Sequence, residues 1–123
     1  MGNHPGYNYF EGFAIQQDGE QEGTYSFGFG NGKTWLPGVK FQLPTGRRFH
    51  IAIVVERNKI KVFRNGELVG DADATDVLKN SGIPLSVGNW VNKDRPFHGS
   101  IEEIRIVDGA MSEDEVRRHA KAI

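Results

Sequence analysis

The stretch FHIAIVVERNKIKVFRNGELVG, Phe49 to Gly70, is where the fold declares itself. Phe49, Ile51, Ile53 and Val55 alternate with His50, Ala52 and Val54. A period of two residues belongs to a β-strand, because successive side chains leave opposite faces of the chain. Both faces of this run are largely apolar, which predicts a central strand covered on both sides over Arg48–Glu56, the longest of the chain. Arg57-Asn58 fits a two-residue hairpin turn, and Lys59–Arg64 returns. Asn65-Gly66 is the strongest hairpin signal in the sequence, since both residues tolerate positive φ. Glu67–Gly70 then opens the next strand.

Working outward, the same period recurs. Tyr25, Phe27 and Phe29 share one face, with Thr24, Ser26, Gly28 and Gly30 on the other. Phe13 with Ile15, and Val39 with Phe41 and Leu43, predict two more strands. Asn31 to Gly38 reads as a loop. Ile83, Leu85 and Val87 predict a short strand, Gly88 to His98 a polar loop, and Ile101–Val107 the last strand. Met1 to Tyr9 reads as an irregular lead-in, with Tyr7 and Tyr9 covering an edge. Only at Ser112 does the period change. Ser112 with Glu115 three residues on fits a capping box. Glu113, Asp114 and Glu115 crowd the positive start, while Arg117, Arg118 and Lys121 follow near the negative end. A short C-terminal helix over 112–121 is predicted, with Val116, Ala120 and Ile123 as its docking stripe. The sum is all-β: an antiparallel β-sandwich or jelly roll with one short helix.

Composition bounds the function. The 123 residues make one domain, 1–123. Lys plus Arg number 15 against 16 Asp plus Glu, so no basic field exists to hold nucleic acid. Sixteen glycines fit a turn-rich sandwich, and the absence of cysteine excludes disulfides and thiolate chemistry. No apolar run reaches the roughly 18 residues of a membrane span, and the opening residues do not read as a signal peptide. Sandwich and barrel domains often run to roughly 200–250 residues, so this chain is short for its type.

Five motifs in order resemble laminin G-like, pentraxin-like domains of the concanavalin A-like lectin/glucanase fold. Phe49–Val55 and Ile60–Gly66 resemble the paired "WHHVAVV … IKLYVNG" strands. Pro84–Trp90 resembles "PLYIGNW", Phe97–Ile106 "FxGxIDEVRIY" and Ala110–Val116 "ALSxEEI". The family's Trp at the head of the long strand is Arg48 here, and its Asp in "IDEVRI" is Glu102. The strands that precede residue 10 in the family have no counterpart. The resemblance therefore implies either a partial domain or a second chain that completes the sheets, as a homodimer or larger homo-oligomer. It also favours an extracellular or cell-surface origin.

The resemblance places Glu102 where the family ligates calcium at a sandwich rim; the plain alternative is a solvated carboxylate or one paired with Lys or Arg. No other cofactor is implied. For carbohydrate, an apolar platform ringed by fixed polar groups is needed, because sugar rings show C–H on one face and hydroxyls at the edge. Two loops have that makeup: Asn31, Lys33 and Trp35, and Trp90, Asn92, Asp94, Arg95 with His98. Trp35 is the better platform, and Trp90 is as well explained by packing. Catalysis in related glucanases needs paired carboxylates on alternate strand residues. Asp18, Glu20 and Glu22 have that spacing but fall in a glycine-flanked turn, while adjacent Glu102 and Glu103 face opposite ways. His50 reads as a strand histidine bonded to a neighbour. The expectation is a non-catalytic module that binds a glycan or a protein surface. A structural or oligomerisation domain is the alternative, and a glycan-active hydrolase or lyase the third reading.

Overall fold

The computed structural model describes residues 1–2, 10–18, 23–56, 59–74, 76, 78–79, 81–82, 85–88 and 97–122. Among them, β1 (Phe13–Gln17), β2 (Thr24–Gly30) and β3 (Trp35–Gln42) form one sheet in the order β1-β2-β3. β4 (Ile51–Glu56), β5 (Lys59–Arg64) and β6 (Glu67–Asp73) form a second, in the order β4-β5-β6. Every pairing is antiparallel.

Register explains the core. Phe13 stands opposite Phe29, Ile15 opposite Phe27, and Val39 and Phe41 opposite Phe27 and Tyr25. One face of the first sheet is therefore apolar across all its strands. In the second, Val62 lies between Ile53 and Gly70, and Ile60 between Val55 and Ala72. The two faces close on each other through Phe27, Phe29, Val39, Phe41, Ile60 and Val62. Ile60 and Val62 are both 0% exposed, and each such side chain contributes about 1.5–3 kcal/mol. Gly70 lets the sheets meet: a Cβ there would lie 2.7 Å from Val39 Cγ1.

The Asn65-Gly66 turn is as the sequence predicts, with φ of 51° and 83° at its two residues. Arg57 and Asn58 lie outside the described residues, between the paired Glu56 and Lys59. The helix α1 (Glu113–Lys121) is capped by Ser112, whose Oγ accepts from Glu115 N–H at 3.2 Å. Oγ in turn donates to Glu115 Oε1 at 3.2 Å, so both contacts with Glu115 run through the serine hydroxyl rather than through the backbone N–H that a full capping box would use. Lys61 pairs with Glu113 at 3.8 Å, and a Cβ on Gly66 would meet Arg117 Cγ at 3.1 Å. So α1 lies on the outer face of the second sheet, where Phe63 and Val116 are buried.

Four expectations are corrected. β4 is an edge strand of its sheet, not a central one; β5 is central, because it alone has a neighbour on either side. β4 also starts at Ile51, and β3, not β4, is the longest strand. β3 begins at Trp35, inside the predicted loop. A bulge at Phe27/Gly28 brings Gly28 opposite Pro37 and Gly30 opposite Trp35, which accommodates a proline that cannot donate to the ladder. Finally, Ile101–Val107 is not a strand: all its residues are exposed, and no described backbone group from 98 to 111 is hydrogen-bonded to another. The predicted 83–87 strand reduces, among described residues, to one bridge, Ser86 to Gly2.

Candidate functional site

Sheet pairing at the start of the chain sets the geometry. Gly2 bridges Ala14 on one side and Ser86 on the other. Its N–H donates to Ser86 O at 3.0 Å, and Ser86 N–H returns a bond of 2.8 Å. Met1 reinforces this by accepting from Ile15 N–H at 2.7 Å. One row therefore runs Ser86, Gly2, Ala14, Gly28, Pro37 across the first sheet. At about 4.8 Å per strand, that row is about 19 Å long.

The Trp35 corner lies at its β3 end. Gly28 leaves room there by lacking a side chain: a Cβ on it would lie 2.8 Å from Trp35 Nε1 and 3.1 Å from Cε2, while the space over Gly30 is taken by the backbone of Phe10 and Glu11. The indole is thus laid against the sheet on its outer face, half-buried. Only glycine permits that approach. Beside it, Asn31 Oδ1 accepts from the N–H groups of Lys33 and Thr34, both at 2.8 Å. Asn31 Nδ2 donates to Asp76 Oδ2 at 2.8 Å. Lys79 closes the corner from below: its N–H donates to Gly30 O at 2.8 Å and its C=O accepts from Gly12 N–H at 2.7 Å. Its ammonium pairs with Glu11 at 3.5 Å.

Asn31, Lys33 and Trp35 lie along this corner in different surroundings. Asn31 spends its amide on hydrogen bonds that fix the loop. Lys33 is exposed and has no ion pair among the described residues, so its ammonium is available. Trp90, Asn92, Asp94 and Arg95 lie outside the described residues. The ends of their segment meet, since Phe97 N–H donates to Gly88 O at 2.7 Å. Gly88 follows Ser86 at the far end of the 19 Å row described above, about four strand spacings from Trp35. Asp76, Lys79 and Glu11 were not legible in the sequence as members of this corner. Asn31 and Asp76 are 45 positions apart, and no local pattern reports a contact of that range.

A second polar group stands near the start of β4. Glu102 is ion-paired with Arg48, and Glu103 with Arg105. Arg105 Nη1 also reaches His119 Nδ1 at 3.2 Å. Among the described residues no three carboxylate or imidazole groups converge to hold a cation. His50 bonds through its backbone, donating to Asn65 Oδ1 at 2.9 Å and accepting from Asn65 N–H at 2.8 Å. Its ring Nδ1, in contrast to the expectation of a bonded imidazole, is buried with no partner among the described residues. That burial lowers its proton affinity, the His119 charge lowers it further, and Glu103 opposes both. Asp18 pairs with Lys40 at 3.0 Å; Glu20 and Glu22 lie outside the described residues. No described helix is long and apolar enough to cross a membrane.

A laminin G-like family model, described as the concanavalin A-like lectin/glucanases superfamily, matches residues 2–117. No curated protein matches the chain. Among solved structures, the crystal structure of an S-layer domain-containing protein (residues 221–444) from Clostridium thermocellum is similar, with a TM-score of 0.57 at 19% identity. The similarity covers 92% of this chain and 58% of that one. At this identity it speaks to the fold alone.

Proposed function

The chain belongs to the concanavalin A-like lectin/glucanase superfamily as a laminin G-like domain, and from that premise we propose that it is a non-catalytic recognition module that holds carbohydrate at the Trp35 corner. One observation carries the reading: an indole laid on Gly28, beside a loop fixed by three Asn31 hydrogen bonds. A rigid aromatic platform loses little entropy when a sugar ring stacks on it. Lys33, exposed two residues before Trp35, supplies a charged donor for hydroxyls. The described carboxylates that a glycosidase would need are each taken by a cation: Asp18 by Lys40, Glu102 by Arg48, Glu103 by Arg105. That supports recognition over hydrolysis.

The test is titration calorimetry against a glycan panel, with the wild type and Trp35→Ala. Binding by the wild type at up to about 1 mM, lost by at least tenfold in Trp35→Ala, is expected. No binding by the wild type, or equal binding by both, overturns the reading. Turnover of any glycan above a buffer blank overturns "non-catalytic".

A second reading, a protein-interaction or assembly domain, is favoured by a separate observation. Ile101, Ile104, Ile106 and Val107 are 48%, 40%, 69% and 51% exposed on one short run.

A further inference from the structure

We infer that Ile101–Val107 is a self-complementary strand whose partner is the same segment of a second copy of this chain. The segment meets the conditions for an added strand and has no neighbour among the described residues. Its residues are exposed, and none of its described backbone groups is bonded to another. Such a row of free N–H and C=O groups templates pairing with another chain.

What selects a second copy is the order of charges. Place two segments antiparallel with Ile104 at the centre. Glu103 then stands opposite the partner's Arg105, and Arg105 opposite the partner's Glu103. Ile101 stands opposite the partner's Val107, and the same pair repeats at the other end. This face carries two ion pairs between two apolar pairs, with no like charges opposed. On the other face Ile104 meets the partner's Ile104. Glu102 stands opposite the partner's Ile106, but its carboxylate is already held by Arg48, whose methylene stem is free to cover the isoleucine. The arrangement is isologous and closes at two chains.

In the single chain, Glu103 and Arg105 pair with each other two residues apart, on the same side of the segment. Pairing within a chain and pairing across the dimer therefore use the same groups, and charge reversals separate them. Glu103→Arg leaves two cations at these positions, and Arg105→Glu leaves two carboxylates. Each variant alone repels a copy of itself. Mixed, the two match in every opposed pair, while neither regains its pair within the chain.

Sedimentation equilibrium from about 10 µM to about 1 mM reads the outcome. The wild type is expected to approach twice the monomer mass as concentration rises. Each variant alone is expected to stay monomeric, with wild-type circular dichroism, and the equimolar mixture to recover the dimer. A wild type that stays monomeric throughout overturns the proposal and gives the strand to another occupant. Dimerisation that either single variant retains, or that the mixture fails to recover, overturns it too. Because no glycan is present, the result is independent of the Trp35 reading.

Discussion

In β5, Ile60 and Val62 alternate with Lys59, Lys61 and Phe63; in Ile101–Val107, Ile104 and Ile106 alternate with Glu103, Arg105 and Val107. Ile60 and Val62 are 0% exposed, while Ile106 is 69% exposed. Composition does not separate the two runs. β5 has β4 on one side and β6 on the other, each only two residues away along the chain, so the partners are at hand. Ile101–Val107 has no such neighbour among the described residues. Alternation decides which face of a strand is apolar; pairing decides whether the strand exists, because each N–H and C=O taken from water must be bonded again.

The largest effect that would break this contrast is in core packing. Ile60→Ala removes atoms from the seam between the sheets and is expected to cost about 2–5 kcal/mol. Ile106→Ala, in dilute solution, is expected to stay within about 0.5 kcal/mol of the wild type. Urea unfolding of the two variants measures both. Comparable losses would mean that the exposed run is packed in solution and that the contrast is false.

The sequence showed one side of this contrast far better than the other. Asn65-Gly66 fixed a hairpin from local chemistry alone, and Ser112 as N-cap fixed the helix start. The inward rows of β1, β2 and β5 follow from period two. The errors came where tertiary pairing overrode local pattern. β4 is apolar on both faces yet lies at an edge. Trp35 looked like a loop residue because Pro37 and Gly38 interrupt the alternation, and a bulge in the pairing absorbs them. The Trp35 corner was half legible. Asn31, Lys33 and Trp35 lie within five positions, but Asp76 and Lys79 arrive from a distant segment that only the folded chain brings there.

A smaller effect sharpens the contrast at the boundary between the two regions. α1 follows the exposed run directly, and its first turn is held by Ser112. Ser112→Ala removes the acceptor for Glu115 N–H and the donor to its carboxylate, at an expected cost of about 1 kcal/mol. Amide exchange reads it locally: protection in the first turn of α1 should fall, while β5 amides stay protected. Loss of protection at Ile60 and Val62 to the same degree would mean that helix and sheets unfold as one unit.

The smallest expected effect is pH-dependent, and it falls where the exposed run touches the sandwich. His50 precedes β4, and its buried Nδ1 has no partner among the described residues. Burial and the His119 charge lower its proton affinity below the ordinary value of 6.5, against the opposing pull of Glu103. Below that value the unfolded chain binds a proton that the folded chain resists. The unfolded state then holds more protons, so stability rises with pH up to about 6.5 and is flat above it as far as this group is concerned. Acidification is therefore expected to lower the unfolding midpoint between about pH 7.5 and about pH 5.5, above the range where most carboxylates titrate. His50→Gln keeps a polar side chain and removes the titration, so its midpoint should fall less over the same range. Arg105→Gln, which takes the exposed cation from both His119 and Glu103 but leaves the imidazole's burial untouched, should leave most of the slope in place. If it removes the slope as fully as His50→Gln does, the pH response belongs to the exposed run rather than to the buried imidazole.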